Sequence, residues 1–258
     1  MQFIDSHAHL YAQEFDLDRL DVISRAKEVG VSKILLPNID VESIDRMMDT
    51  YQLDTDFFSV MMGLHPTSVK ADYQDQLDVM KDLLESDPDL YVAIGEVGLD
   101  YYWDKTFQTQ QISALKEQLR WALFYNLPVV LHCRDAYSDL ASLLKKPEYQ
   151  NLTGVIHSFS GSEHELDLFL PLDNWYIGLN GIITFKNSGM AQFIKKIPLE
   201  RLLIETDCPY LTPVPYRGKR NESAFLYHTL SKIAVIYAKS VENMAEITLN
   251  NTIRCFGI

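Results

Sequence analysis

Phe3-Ile4-Asp5-Ser6-His7-Ala8-His9-Leu10 opens the chain, and Tyr11 and Ala12 follow it without a glycine. The apolar entry predicts a buried strand. Side chains alternate along a strand, so His7 and His9 project from one face. Their Cα atoms then lie about 6.5 Å apart, at roughly 3.3 Å of rise per residue. Both imidazoles converge on one point, and the small Ala8 leaves room on the other face. An open doubly wound sheet carries a Gly-rich phosphate-binding turn directly after its first strand. The absence of that turn favours a closed barrel.

Working outward, seven more apolar runs of strand length follow, at Lys33–Pro37, Phe57–Pro66, Tyr91–Asp100, Leu127–Arg134, Gly154–Phe159, Trp175–Gly181 and Arg201–Asp207. Between and after them, apolar residues recur at helical spacing over Asp18–Val29, Val41–Tyr51, Asp75–Glu85, Phe107–Tyr125, Tyr137–Leu144, Glu163–Phe169, Glu222–Lys239 and Val241–Phe256. Strands so continuously apolar must be covered on both faces, which requires a parallel sheet with helices outside. Eight βα units of about 32 residues each fill the 258 positions. The pattern predicts an α/β fold of the TIM-type (β/α)8 barrel, with residues 1–258 as a single domain.

Composition narrows the function. Hydrophobic residues make up 47% of the chain, enough for a sizeable core. No apolar run reaches the length of a membrane span, and the N-terminus reads as a first strand, not a signal peptide. Three widely spaced cysteines form no Cys-x-x-Cys pair, so a reducing cytoplasm is expected. A net charge of −13 argues against capture of nucleic acid by a basic surface. It leaves open an anion held locally at a cationic centre.

Nearly every apolar run ends in a residue that binds metals well. His7 and His9 close the first, His65 the third, Glu96 the fourth, His132 the fifth, His157 the sixth and Asp207 the eighth. The gaps after His9 are 56, 31, 36, 25 and 50 residues, so each ligand lies one or two βα units beyond the last. In a barrel, the carboxyl ends of the strands form one rim, where active sites sit. Five of the seven histidines fall there. His7, His9, Glu96, His132, His157 and Asp207 are too many ligands for one four-coordinate cation with an open position. Two divalent cations sharing Glu96 as a bridge fit better, and such pairs drive in-line displacement at phosphorus. The centre stays cationic inside an acidic protein and suits an anionic phosphodiester. Zinc, manganese and magnesium all remain open.

Further motifs extend the pattern: Gly95-Glu96-Val97-Gly98-Leu99-Asp100-Tyr101, Leu131-His132-Cys133-Arg134, His157-Ser158-Phe159-Ser160-Gly161, Leu203-Ile204-Glu205-Thr206-Asp207-Cys208-Pro209-Tyr210-Leu211 and Pro213-Val214-Pro215-Tyr216-Arg217-Gly218-Lys219-Arg220-Asn221-Glu222. Together with the opening stretch they resemble the TatD family of metal-dependent deoxyribonucleases, from residue 3 to the terminal Arg254-Cys255-Phe256-Gly257. The resemblance implies a metallohydrolase barrel that cleaves DNA, commonly as a 3′–5′ exonuclease, with the same six positions as metal ligands. Tyr11, Thr67 and Ser223 depart from the residues usual in that family. None is expected to touch a predicted ligand, so they bear on substrate preference more than on the chemistry. An amidohydrolase is the competing reading, although such sites often bridge their metals through a modified Lys on strand four, where this chain has Glu96. Ester hydrolysis on aminoacyl-tRNA is a neighbouring alternative.

In the mechanism expected here, Glu96 and Asp207 are catalytic, with Asp207 taking or orienting a proton of the attacking water. His65 and Arg217 are expected to contact the substrate, DNA with single-stranded or frayed ends. Lys219 and Arg220 read as a solvated loop, and Arg134 either faces the rim or pairs with an acid. Tyr101, Tyr102 and Trp103 either stack on bases or form a packed lid. Asp5 and Asp100 are expected to orient histidines from behind. Cys133 and Cys208 should be buried and turned away, and the chain should act as a monomer or weak oligomer.

Overall fold

Eight strands run parallel in a computed structural model that describes residues 1–258: β1 (Phe3–Asp5), β2 (Val31–Pro37), β3 (Phe58–Met62), β4 (Tyr91–Asp100), β5 (Val129–Arg134), β6 (Gly154–Ile156), β7 (Trp175–Leu179) and β8 (Leu202–Ile204). Each pairs with the next in sequence order. The seam between β8 and β1 is too short for a ladder. There the Ser6 backbone N–H donates to Ile204 O at 3.2 Å, and the Asp5 carboxylate accepts from Thr206 N and Oγ1. A barrel results, with its helices outside: α1 (Arg19–Glu28), α2 (Ile44–Tyr51), α3 (Tyr73–Ser86), α4 (Gln108–Tyr125), α5 (Tyr137–Leu144), α6 (Glu163–Phe169), α7 (Leu226–Ile236) and α8 (Val241–Phe256).

One crossover differs from the expected alternation. Between β7 and β8 the chain makes four short 3-10 turns and no α-helix. Asn187-Ser188-Gly189 and Pro198 break any helical run there.

Alternation divides the strand residues into two apolar layers. Ile4, Leu35, Met61, Ala93, Val130, Val155, Tyr176 and Leu203, one from each strand, pack together with Cys255 and Phe256 of α8. They fill the barrel interior and α8 closes its floor. The alternate residues, among them Phe3, Ile34, Val60, Val129 and Ile156, face the helices in a much larger shell. Burying each such side chain contributes about 1.5–3 kcal/mol. Two residues above the interior layer, toward the carboxyl ends, the inward positions turn polar or small: Gly63, His132, His157, Gly178 and Glu205. The apolar floor therefore carries the polar rim directly on top of it.

Candidate metal centre

The rim gathers what the sequence scattered. His7 and His9 sit just past β1, where their Nε2 atoms approach to 3.3 Å. His7 Nε2 lies 3.1 Å from Glu96 Oε2 and 3.9 Å from Asp207 Oδ1. His9 Nε2 lies 3.6 and 3.4 Å from the same two oxygens. Four ligands at about 2.1 Å around a tetrahedral cation stand about 3.4 Å from one another. These separations match that figure, and the set combines two imidazoles with two carboxylates, so the residues fit a divalent cation.

Glu96 Oε1 faces another group. His132 Nδ1 lies 3.0 Å from it, His65 Nε2 3.3 Å and His157 Nε2 3.6 Å. The carboxylate is 3% exposed and divides its two oxygens between two sets of rings. This is the arrangement expected of a bridge.

Neighbouring groups fix which nitrogen each ring presents. Tyr11 Oη donates to Pro37 O at 2.6 Å, so it accepts from His9 Nδ1 at 2.9 Å and leaves the Nε2 lone pair facing inward. His132 Nε2 donates to Asp100 Oδ2 at 2.9 Å, which leaves Nδ1 for Glu96 and its surroundings. His65 is the reverse case. Its Nδ1 accepts from Thr67 N at 3.1 Å, so Nε2 carries the proton and His65 offers a donor, not a lone pair. Of the residues that depart from the family pattern, Tyr11 thus touches a predicted ligand, His9, against expectation, while Thr67 touches only His65.

Charge differs from ring to ring. Burial, followed by the adjacent His157, pushes His7 down to about 4 despite Glu96. Burial also opposes protonation of His157, but Glu205 and Glu96 outweigh it and lift the ring to about 10. His132 rises against burial through Asp100 and Glu96. Burial would raise Glu96 and Asp207, yet the surrounding histidines hold both below the ordinary carboxylate range.

A family model described as TatD related DNase matches residues 4–257. The chain belongs to the TatD family. The uncharacterised metal-dependent hydrolase YabD of Bacillus subtilis is 38% identical to it over 255 residues, 98% of either chain. The 3′–5′ ssDNA/RNA exonuclease TatD of Pantoea ananatis is 33% identical, over 98% of this chain and 99% of that one. A crystal structure of YjjV, a TatD homologue from Escherichia coli K12, superposes with a TM-score of 0.92 at 32% identity, covering 99% and 98% of the two chains. Membership makes this protein a metal-dependent hydrolase, and no helix is long and apolar enough to cross a membrane.

In this TatD chain one residue near the histidines was missed in the sequence. Glu205, fully buried, places Oε1 3.0 Å from His157 Nδ1, off the N–H axis, and pairs with it chiefly by charge. The signal was its position two residues before Asp207, in the motif that carries that acid. Gly178 opposite makes room, since a Cβ there would come within 2.6 Å of the Glu205 carboxylate. Asp5 does not orient a histidine ring as expected. Burial raises it to about 7 against its hydrogen bonds from Thr206, and it clasps the β1–β8 seam.

Above the centre lies a cavity of about 840 Å³ lined by His9, Tyr11, His65, Glu96, Asp100, Trp103, His132, Arg134, His157, Asp207 and Tyr210, among others. Cys133, between His132 and Arg134 on β5, is buried and packs in the helix-facing shell, turned away as expected. Arg217 is not among the residues lining the cavity. It stacks on Phe185 at 3.8 Å and donates to Thr212 O. Arg220 pairs with Asp18 at 2.7 Å.

Proposed function

We propose that this hydrolase cleaves phosphodiester bonds in DNA, as a 3′–5′ exonuclease on single-stranded or frayed ends. One observation carries the reading: the two oxygens of Glu96 face different histidines, Oε2 facing His7 and His9 and Oε1 facing His132, His65 and His157, with His157 also stacked on His7. Two divalent cations bound there would activate a water and stabilise both oxygens of an in-line displacement. His7, His9 and Asp207 would hold one, His132 and His157 the other, with Glu96 between them.

The protein's own groups do the rest. Asp207, ionised at neutral pH and 15% exposed at its side chain, takes up a proton of the attacking water on its carboxylate. His65 Nε2–H donates to an oxygen of the phosphate. Asp100 and Tyr11 fix the tautomers of His132 and His9 through turnover. The buried floor keeps water away from below. A cyclic amide fits less well, because strand β4 supplies Glu96 where a bridging Lys would stand; an aminoacyl ester is separated from DNA by substrate profiling. The three cysteines are free and buried, which suits a reducing cytoplasm. Arg217 reaches a substrate only where the strand extends beyond the cavity.

The test is a substrate panel. Protein loaded in turn with zinc, manganese and magnesium is incubated with 5′-labelled single-stranded DNA, blunt and frayed duplexes, a cyclic amide and aminoacyl-tRNA. The expected result is a ladder shortening from the 3′ end, faster on single strands than on blunt duplex. Intact DNA beside hydrolysed aminoacyl-tRNA or amide would overturn the proposal.

A further inference from the structure

Two arginines line the cavity, and they are not equivalent. Arg46 is committed, since Nε donates to Tyr11 O and its guanidinium pairs with Asp16. The Arg134 guanidinium makes no hydrogen bond or ion pair within the protein. It lies over the Tyr102 ring at 3.7 Å, with the Trp103 ring 5.2 Å away. One face of its plane is covered, while the N–H edges stay available for an anion. Tyr102 and Trp103 are 52% and 67% exposed, too open for a packed lid.

This cluster is held in register with the centre. Asp100 Oδ2 accepts from His132, while Asp100 Oδ1 accepts from Tyr102 N at 2.9 Å and Trp103 N at 3.1 Å. One carboxylate therefore positions both a ring beside Glu96 and the loop that carries the aromatics. Arg134 stands two residues beyond His132 on β5, on the same strand face.

From this arrangement we propose that Arg134, Tyr102 and Trp103 form a nucleotide subsite next to the hydrolytic centre. Arg134 bonds the phosphate of the residue adjoining the scissile bond, and the open face of Trp103 stacks on its base. The subsite deepens the nuclease reading above and rests on it for its ligand. Stacking on an aromatic ring is indifferent to base identity, which suits an enzyme that shortens any strand.

Trp103 supplies its own probe, because the other two tryptophans, Trp121 and Trp175, are buried. The full-length metal-loaded protein is titrated with a single-stranded thymidine hexamer carrying phosphorothioate links, and tryptophan emission is followed. Emission should be quenched on binding. Trp103→Ala should weaken binding by about fivefold to a hundredfold, the range for loss of one stacked base. Trp103→Phe should keep the affinity but lose the signal. Arg134→Gln should weaken binding about tenfold and lower the salt dependence by about 0.7, the slope for one phosphate of a single strand. An abasic hexamer should remain sensitive to Arg134→Gln and become insensitive to Trp103→Ala. Quenching without cleavage of ordinary DNA supports the subsite while refuting the nuclease. Cleavage with no quenching and unchanged binding in both variants refutes the subsite while sparing the nuclease, and no binding at all refutes the subsite.

Discussion

On the Oε2 side of Glu96 no ring has a carboxylate behind it, whereas on the Oε1 side two of the three rings do, His65 resting on Thr67 instead. His9 leans on the Tyr11 hydroxyl, and His7 Nδ1 has no partner in the protein. His132 leans on Asp100 and His157 on Glu205. Burial then governs His7 and drives it to about 4, so its ring is neutral and a ready ligand at pH 7. Charge governs His157 and lifts it to about 10, so that ring holds a proton until a cation displaces it. The lesson is that two halves of one cluster, sharing a carboxylate, are prepared differently. With two cations as proposed, the Oε2 half would take one at once, and the Oε1 half would exchange protons for the other.

The largest effect should come from the residue common to both halves. Glu96→Ala is expected to lower kcat on single-stranded DNA by at least about a thousandfold. Its thermal midpoint should stay close to that of the parent, since the ring of strands does not depend on this side chain. Normal metal-dependent turnover in that variant would remove the bridge from the account.

Next come changes confined to one half. Glu205→Gln and Asp100→Asn each remove a carboxylate behind an Oε1-side histidine, and loss of such a partner typically costs 10–100-fold in metal affinity. Calorimetric titration with manganese should show the weaker of two binding steps shifted by that factor and the tighter step unchanged. Equal weakening of both steps would erase the distinction between the halves.

The pH dependence sharpens it. Between about pH 6.5 and 8, His157 in the metal-free protein is protonated and His7 is not, so raising the pH favours the second step alone. Its affinity should tighten by up to about tenfold per pH unit, with proton release visible across buffers of different ionisation enthalpy. Acidification from pH 6.5 toward 4 should begin to protonate His7 and weaken the first step as well. The smallest effect is Tyr11→Phe. It deletes one neutral hydrogen bond to His9, worth about 1 kcal/mol or roughly fivefold, on the first step only.

Much of this was legible in the sequence, for identifiable reasons. The barrel could be read because β5 and its neighbours are apolar on both faces, and α5, α6 and α8 match their expected bounds at Tyr137–Leu144, Glu163–Phe169 and Val241–Phe256. The rim could be read because a histidine or acid closing an apolar run has few other uses. Strand β1 is shorter than expected, ending at Asp5, so His7 and His9 converge from irregular backbone beyond it. Glu205 was overlooked because its partner, His157, and the space left by Gly178 belong to strands far away in sequence. The same holds for Tyr11 and Thr67, whose contacts depend on ring orientations that no spacing encodes.

The most direct test is an anomalous difference map from crystals of the full chain grown with manganese. The account predicts two peaks about 3.5–4 Å apart on either side of the Glu96 carboxylate, one against His7, His9 and Asp207, the other against His132 and His157. A single peak, or peaks away from Glu96, would contradict it.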